Sequence, residues 1–78
     1  MQFRHITTNP KILGGKPIIK GTRISVEFIL ELVASGGSVK DIVKTYPHLG
    51  EEAVREAILF AGFNLRNDVV LEAATPAA

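Results

Sequence analysis

Residues 14–23 of this chain read GGKPIIKGTR, and this stretch separates two kinds of sequence. Pro17 lacks an amide hydrogen, which confines it to the start or the edge of a strand, and Gly21 can adopt the positive φ that a turn requires. The stretch therefore predicts a turn, a short apolar strand and a second turn. A segment of alternating polarity precedes it, and three segments with helical periodicity follow it.

The residues around this stretch predict an irregular β-hairpin. Residues 3–8 alternate in polarity and end at Asn9-Pro10, a pair that favours a turn. We expect this strand to pair with residues 17–20 across a long basic loop. The inner face of the hairpin would then be formed by Ile6, Ile18, Ile19 and Ile24.

Capping and breaking residues delimit three predicted helices. Serine accepts hydrogen bonds from the first amides of a helix, and acidic residues favour the positive end of the helix dipole. Glycine readily adopts the left-handed conformation that ends a helix, and proline lacks the N–H needed to continue one. Helix starts are predicted at Ser25, Ser38 and Glu51, and helix ends at Gly36, Pro47 and Gly62.

The pattern as a whole predicts a mainly α fold in one domain. Residues 1–24 form a β-hairpin arm, residues 25–62 form three helices with a tight link between the last two, and residues 63–78 form a partly disordered extension. Three helices with such a link have the outline of a helix-turn-helix.

Length and composition limit the possible classes. The chain has 78 residues and no cysteine, so neither a disulfide nor a cysteine metal cage supplements its small core. We therefore expect a homodimer, which would bury apolar surface that one copy leaves exposed. No secretion signal or membrane span is evident, and we expect the protein in the cytoplasm.

Charge is distributed unevenly along the chain. The first 23 residues carry five bases and no acid, whereas four bases face eight acids from Ile24 onward. This asymmetry indicates an anionic partner for the amino-terminal arm, nucleic acid being the commonest. Pairing between the arm and the acidic helices is the alternative. The five bases are Arg4, Lys11, Lys16, Lys20 and Arg23.

The third predicted helix is poorly suited to reading DNA. Its expected exposed positions carry three carboxylates and one guanidinium, whereas a reading helix normally carries more Arg, Lys, Asn or Gln. The arm is the better candidate, because its bases lie on or beside turns that can approach phosphates. Those exposed helix positions are Glu51, Glu52, Arg55, Glu56 and Leu59, and the predicted DNA-binding residues are Lys11, Lys16, Lys20, Arg23 and Arg55.

Enzymatic motifs are incomplete in this sequence. Gly15-Lys16 suggests a phosphate-binding loop, but Pro17 occupies the place of the required hydroxyl residue. His5 and His48 lie on different predicted elements without a paired carboxylate at ligand spacing, and cysteine is absent. We therefore predict no catalytic residue, no metal site and no cofactor.

The arm and the later Tyr46-Pro47 together resemble the domain-of-unknown-function 433 family. The resemblance rests on glycine-lysine-proline followed by glycine-threonine-arginine, and it covers roughly residues 6–63. It implies a homeodomain-like helix-turn-helix. Many family members look like antitoxins of VapB type, encoded beside a PIN-like ribonuclease toxin that they bind and restrain.

The resemblance and the charge distribution lead to one functional hypothesis. The arm and the helix-turn-helix would contact operator DNA as a dimer, while the acidic helices or the apolar segment Val69, Val70 and Leu71 would contact the toxin. The alternative is a protein-interaction module that assembles through its hairpin and has no affinity for DNA.

Overall fold

A short antiparallel hairpin begins the fold. The computed structural model describes residues 3–68, with side chains placed for residues 3–65. Strand β1 is Ile6–Thr7 and strand β2 is Ile18–Ile19, with Ile6 opposite Ile19 and Thr7 opposite Ile18. The hairpin is confirmed, but its strands are shorter than predicted.

The long loop between the strands contains one turn of 3-10 helix, Leu13–Gly15. Asn9 stabilises its beginning, because its side-chain Oδ1 accepts the backbone N–H of Lys11 at 2.9 Å. The backbone oxygen of Asn9 also accepts the N–H of Ile12 at 2.8 Å. Local hydrogen bonds therefore hold this part of the loop.

Three helices follow the hairpin, as predicted. They are α1, Val26–Ala34; α2, Val39–Thr45; and α3, Glu51–Asp68. Ser25 caps α1 by accepting the N–H of Phe28, and Ser38 forms a reciprocal capping box with Asp41 at the start of α2. The caps could be read from the sequence because they are local contacts.

The prediction that Gly62 ends the third helix is wrong, because α3 passes through Gly62 and continues to Asp68. Glycine inside a helix costs about 1 kcal/mol relative to alanine. Aromatic packing on both sides of Gly62 offsets that cost. The ring of Phe3 lies 5.1 Å from that of Phe60 and 5.7 Å from that of Phe63, so the amino terminus spans both sides of Gly62.

Replacing Gly62 by alanine is expected to stabilise the fold by about 0.5–1 kcal/mol. The position is helical, and an added Cβ meets no atom within 4 Å in the described part of the chain. Urea unfolding measures the gain. Gly50→Ala is the contrasting variant, because Gly50 precedes α3 with φ +76° and alanine there should cost about 1–2 kcal/mol. Equal effects of the two substitutions would contradict this interpretation.

The core lies where α3 crosses the other elements. Helix α3 packs against α1, α2 and both strands. Ile29 of α1 and Val54 and Ala57 of α3 are completely buried at its centre. Ile19 brings the hairpin into this core, which orders the basic arm. The remaining core residues are Val26, Ile42, Leu49 and Ala53.

Helix α3 is the longest described helix, with 18 residues, and it carries several charged side chains. Within residues 3–68, no helix combines the length and the apolar character needed to cross a membrane.

Candidate nucleic-acid interface

Three of the arm cations that were predicted to bind DNA are exposed, without an ionic partner among residues 3–65. Lys11 lies in the long loop, and Lys20 and Arg23 flank the turn that follows β2. Within residues 3–65, no carboxylate lies within ion-pair distance of these three side chains. The arm therefore presents positive charge that the described part of the chain does not neutralise.

The turn after β2 holds Lys20 and Arg23 in a fixed backbone. The hydroxyl of Thr22 donates to the backbone oxygen of Ile19 at 2.7 Å and accepts the N–H of Ile24 at 2.9 Å. Gly21 has a φ of +80°, in the left-handed region that favours glycine. The GTR part of the motif thus builds a closed turn, with its basic residues on either side.

Lys16 differs from the other cations of the loop because it is paired. Its Nζ lies 2.8 Å from Oε1 of Glu27 on α1, and the two side chains are 58% and 60% exposed. The hydrogen bond to Glu27 raises the pKa of Lys16, and the negative charge of the same carboxylate adds to the effect. For Lys16, the structure matches the alternative of pairing between the arm and the acidic helices.

Arg55 is also paired and lies on α3. Its guanidinium is 3.1 Å from Oε1 of Glu51, one helical turn earlier. Leu59 on the same helix is 56% exposed, and Glu52 is exposed as well. This part of α3 therefore presents acidic and apolar groups, with the charge of Arg55 already compensated.

A contact between His5 and Glu56 could not be found from the sequence. The backbone N–H of His5 donates to Oε1 of Glu56 at 2.6 Å, although the residues are 51 positions apart. The ring Nδ1 of His5 is 3.2 Å from Oε2, but it is buried and makes no hydrogen bond within the described residues. The hydrogen bond from the His5 N–H is the main cause that lowers the pKa of Glu56, because it stabilises the ionised carboxylate. This contact joins the arm to α3.

Acid is expected to weaken the Glu56 contact. Because the pKa of Glu56 is lower in the folded chain than its ordinary value of 4.5, its contribution is complete above that ordinary value and is lost as the pH falls through the folded one. Melting temperatures of the wild type and Glu56→Gln should differ more at pH 7 than at pH 3. Glu52→Gln, on the same helix, is the control. A difference between wild type and Glu56→Gln that is the same at both pH values would contradict this prediction.

An apolar groove lies between α1 and the second half of α3. Its volume is about 400 Å³, and Lys16 and Glu27 are at its border. Exposed Leu65 lies on one wall. The other apolar lining residues are Pro17, Val26, Leu30, Phe60 and Ala61. The groove is a second kind of surface, better suited to a protein side chain than to a phosphate.

Two further expectations concern toxin and metal binding. Val69, Val70 and Leu71, the predicted toxin-binding residues, lie outside the described residues. Among the residues that the structure describes, no group of three or more His, Asp or Glu side chains could hold a metal ion.

Comparison with known proteins identifies the family. Residues 6–61 match the family described as "Protein of unknown function (DUF433)". The chain is also 39% identical over 59 residues to an uncharacterized protein, y4eO, of Sinorhizobium fredii; the match covers 76% of this chain but 27% of that protein. No solved structure gives a significant match. The family match spans the hairpin arm and most of the three helices, and the chain therefore belongs to the DUF433 family.

Proposed function

We propose that this protein is the antitoxin of a type II toxin–antitoxin pair, acting as a homodimer in the cytoplasm without catalytic activity of its own. It binds its operator DNA and restrains a PIN-like ribonuclease. The observation that carries the DNA part is the exposed charge of Lys11, Lys20 and Arg23 on the hairpin arm, which no carboxylate of residues 3–65 pairs with. Ordered cations of this kind supply the phosphate contacts on which DNA affinity depends.

The arm, rather than α3, makes the principal phosphate contacts. The turn around Gly21 holds Lys20 and Arg23 on a closed backbone, so little order has to be gained on binding. By contrast, α3 presents Glu52 and Leu59, and its Arg55 is paired with Glu51. A helix with this surface would approach a phosphate backbone unfavourably.

The toxin contacts a different surface. The second half of α3 exposes Leu59, Phe63 and Leu65, an arrangement typical of protein interfaces. A basic nuclease would complement the acidic first turn of this helix. The segment Val69, Val70 and Leu71 extends the apolar character of α3 in the sequence and is included in this proposed interface.

A second candidate function has a specific observation in its favour. Two of the five predicted DNA-binding residues, Lys16 and Arg55, are paired with carboxylates of the same chain. Together with the apolar groove, these pairs favour a protein-interaction module that has no affinity for DNA.

Gel shifts on the DNA immediately upstream of the gene separate the two functions. Three phosphate contacts from each protomer of a dimer predict that log K falls with log salt concentration with a slope of about −5. Absence of binding at ~50 mM salt, or binding that ignores salt, would favour the interaction module. Purification of the protein from its native host tests the toxin separately, because a bound nuclease would be recovered with it.

Glu27→Gln is expected to raise DNA affinity. The exposed Glu27 carboxylate competes with phosphate for Lys16, and removing its charge releases one cation per protomer. At 0.1 M salt the gain should be roughly tenfold for each contact released, with a slope steeper by about one per protomer. Glu52→Gln, on α3, removes the same charge at a place where no arm cation is released. Equal gains from both variants would mean that net charge, rather than release of Lys16, controls binding.

A further inference from the structure

Leu13 combines exposure with an unusual backbone conformation. It is the only residue other than glycine with a positive φ in the part of the chain that the structure describes, at +49°, and it is 47% exposed. The left-handed conformation is sterically unfavourable for an L-residue with a large side chain. Neither the exposure nor the conformation of Leu13 serves the hydrophobic core.

Local hydrogen bonds impose this conformation. The N–H of Gly15 donates to the oxygen of Ile12 at 3.0 Å, and the N–H of Lys16 donates to the oxygen of Leu13 at 3.3 Å. Gly14 and Gly15 continue the left-handed backbone, with φ values of +66° and +87°. The tip of the loop is therefore a closed turn that presents Leu13 in one orientation, and strain held in this way is typical of functional positions.

Charges of both signs surround Leu13, with the cations on the arm and the carboxylates on α1. Lys11 and Lys16 lie two and three residues away in the chain, and Arg23 borders the same groove as Leu13. The α1 side of that groove carries Glu27 and Glu31. Lys16 compensates Glu27 at 2.8 Å. An apolar side chain with cations on the arm side is suited to a ligand that has both a polyanionic backbone and apolar flat surfaces.

We propose that Leu13 is a wedge that inserts between stacked base pairs from the minor groove of double-stranded DNA and kinks the duplex. The proposal rests on the DNA binding proposed above. Leucine is one of the side chains that act as minor-groove wedges, and the arm cations Lys11 and Arg23 provide the phosphate contacts that offset unstacking. The preferred sites are the deformable pyrimidine–purine steps, which unstack most easily.

DNA bending tests this role directly. The wild type is bound to circularly permuted fragments of the upstream DNA at ~100 mM salt, and the bend is measured from their gel mobility. We expect a kink in the range of about 20–90°, centred on a pyrimidine–purine step. Leu13→Asn should lose most of the bend while keeping the salt slope, because asparagine tolerates the left-handed backbone and all cations remain.

Two variants serve as controls. Leu13→Met keeps an apolar side chain of similar size and should keep the bend. Val33→Asn makes a similar apolar-to-polar change at an exposed position of α1, outside the proposed DNA and toxin surfaces, and should leave the bend unchanged. A wild-type complex without a bend, or an unaltered bend with Leu13→Asn, would overturn the wedge and leave DNA binding intact. Absence of salt-dependent binding by the wild type would overturn both proposals.

Discussion

Replacing Lys20 and Arg23 together by alanine is expected to lower DNA affinity at 0.1 M salt. The loss should be roughly 100-fold for each protomer that contacts the DNA. Each cation that contacts a phosphate releases about one counterion, so each lost contact reduces affinity nearly tenfold at that concentration. Both side chains are exposed beside the closed turn at Gly21 and lack carboxylate partners within residues 3–65. Gel shifts over about 50–200 mM salt measure the loss.

The slope of this salt series identifies the cause. It should become shallower by about two for each protomer, whereas a loss of folding would abolish binding at every salt concentration. Lys40→Ala with Lys44→Ala is the matched control, since it removes two exposed cations from α2. If the α2 variant loses affinity and the arm variant does not, DNA binding would stand, but its surface would be the helix-turn-helix.

Replacing Ile29 by alanine should destabilise the fold by about 2–5 kcal/mol. Ile29 is 0% exposed and belongs to the core cluster that joins α1 to the other elements. Small domains are stable by only about 5–15 kcal/mol in total, so this single change should remove a large part of the stability. Urea unfolding of the purified variant measures the loss, and Ile29→Val should give a smaller loss of about 0.5–1.5 kcal/mol.

Val33→Ala on the same helix is the control for Ile29. Val33 is 37% exposed, so truncation there should change the stability by no more than about 0.5 kcal/mol. Similar losses at both positions would show that burial in the core does not set the cost of truncation in α1, because alanine favours a helix at both places.

The DNA affinity expected of the arm depends on which of its cations are free, and the sequence could not identify them. Lys16 and Glu27 are 11 residues apart, and their 2.8 Å contact exists only because the loop reaches α1. The pairing of Arg55 with Glu51, by contrast, follows a spacing that is common within helices. Longer-range pairing of charges requires the position of the loop in three dimensions.

Helix boundaries show the same division between local and distant causes. Ser25 and Ser38 cap α1 and α2 through contacts three residues away, which a sequence pattern contains in full. The error at Gly62 arose because a local helix-breaking tendency was opposed by Phe3, which packs on Phe60 and Phe63 from the far end of the chain.

Local chemistry was therefore sufficient for the family resemblance, the hairpin, the three helices and the concentration of positive charge in the arm, because each depends on residues a few positions apart. Folding in three dimensions decided which of those charges stay free, how His5 is joined to Glu56, and how far α3 extends. These features depend on contacts between residues distant in the chain. Such contacts exist only once the core around Ile29 and Val54 has brought the arm and the helices together.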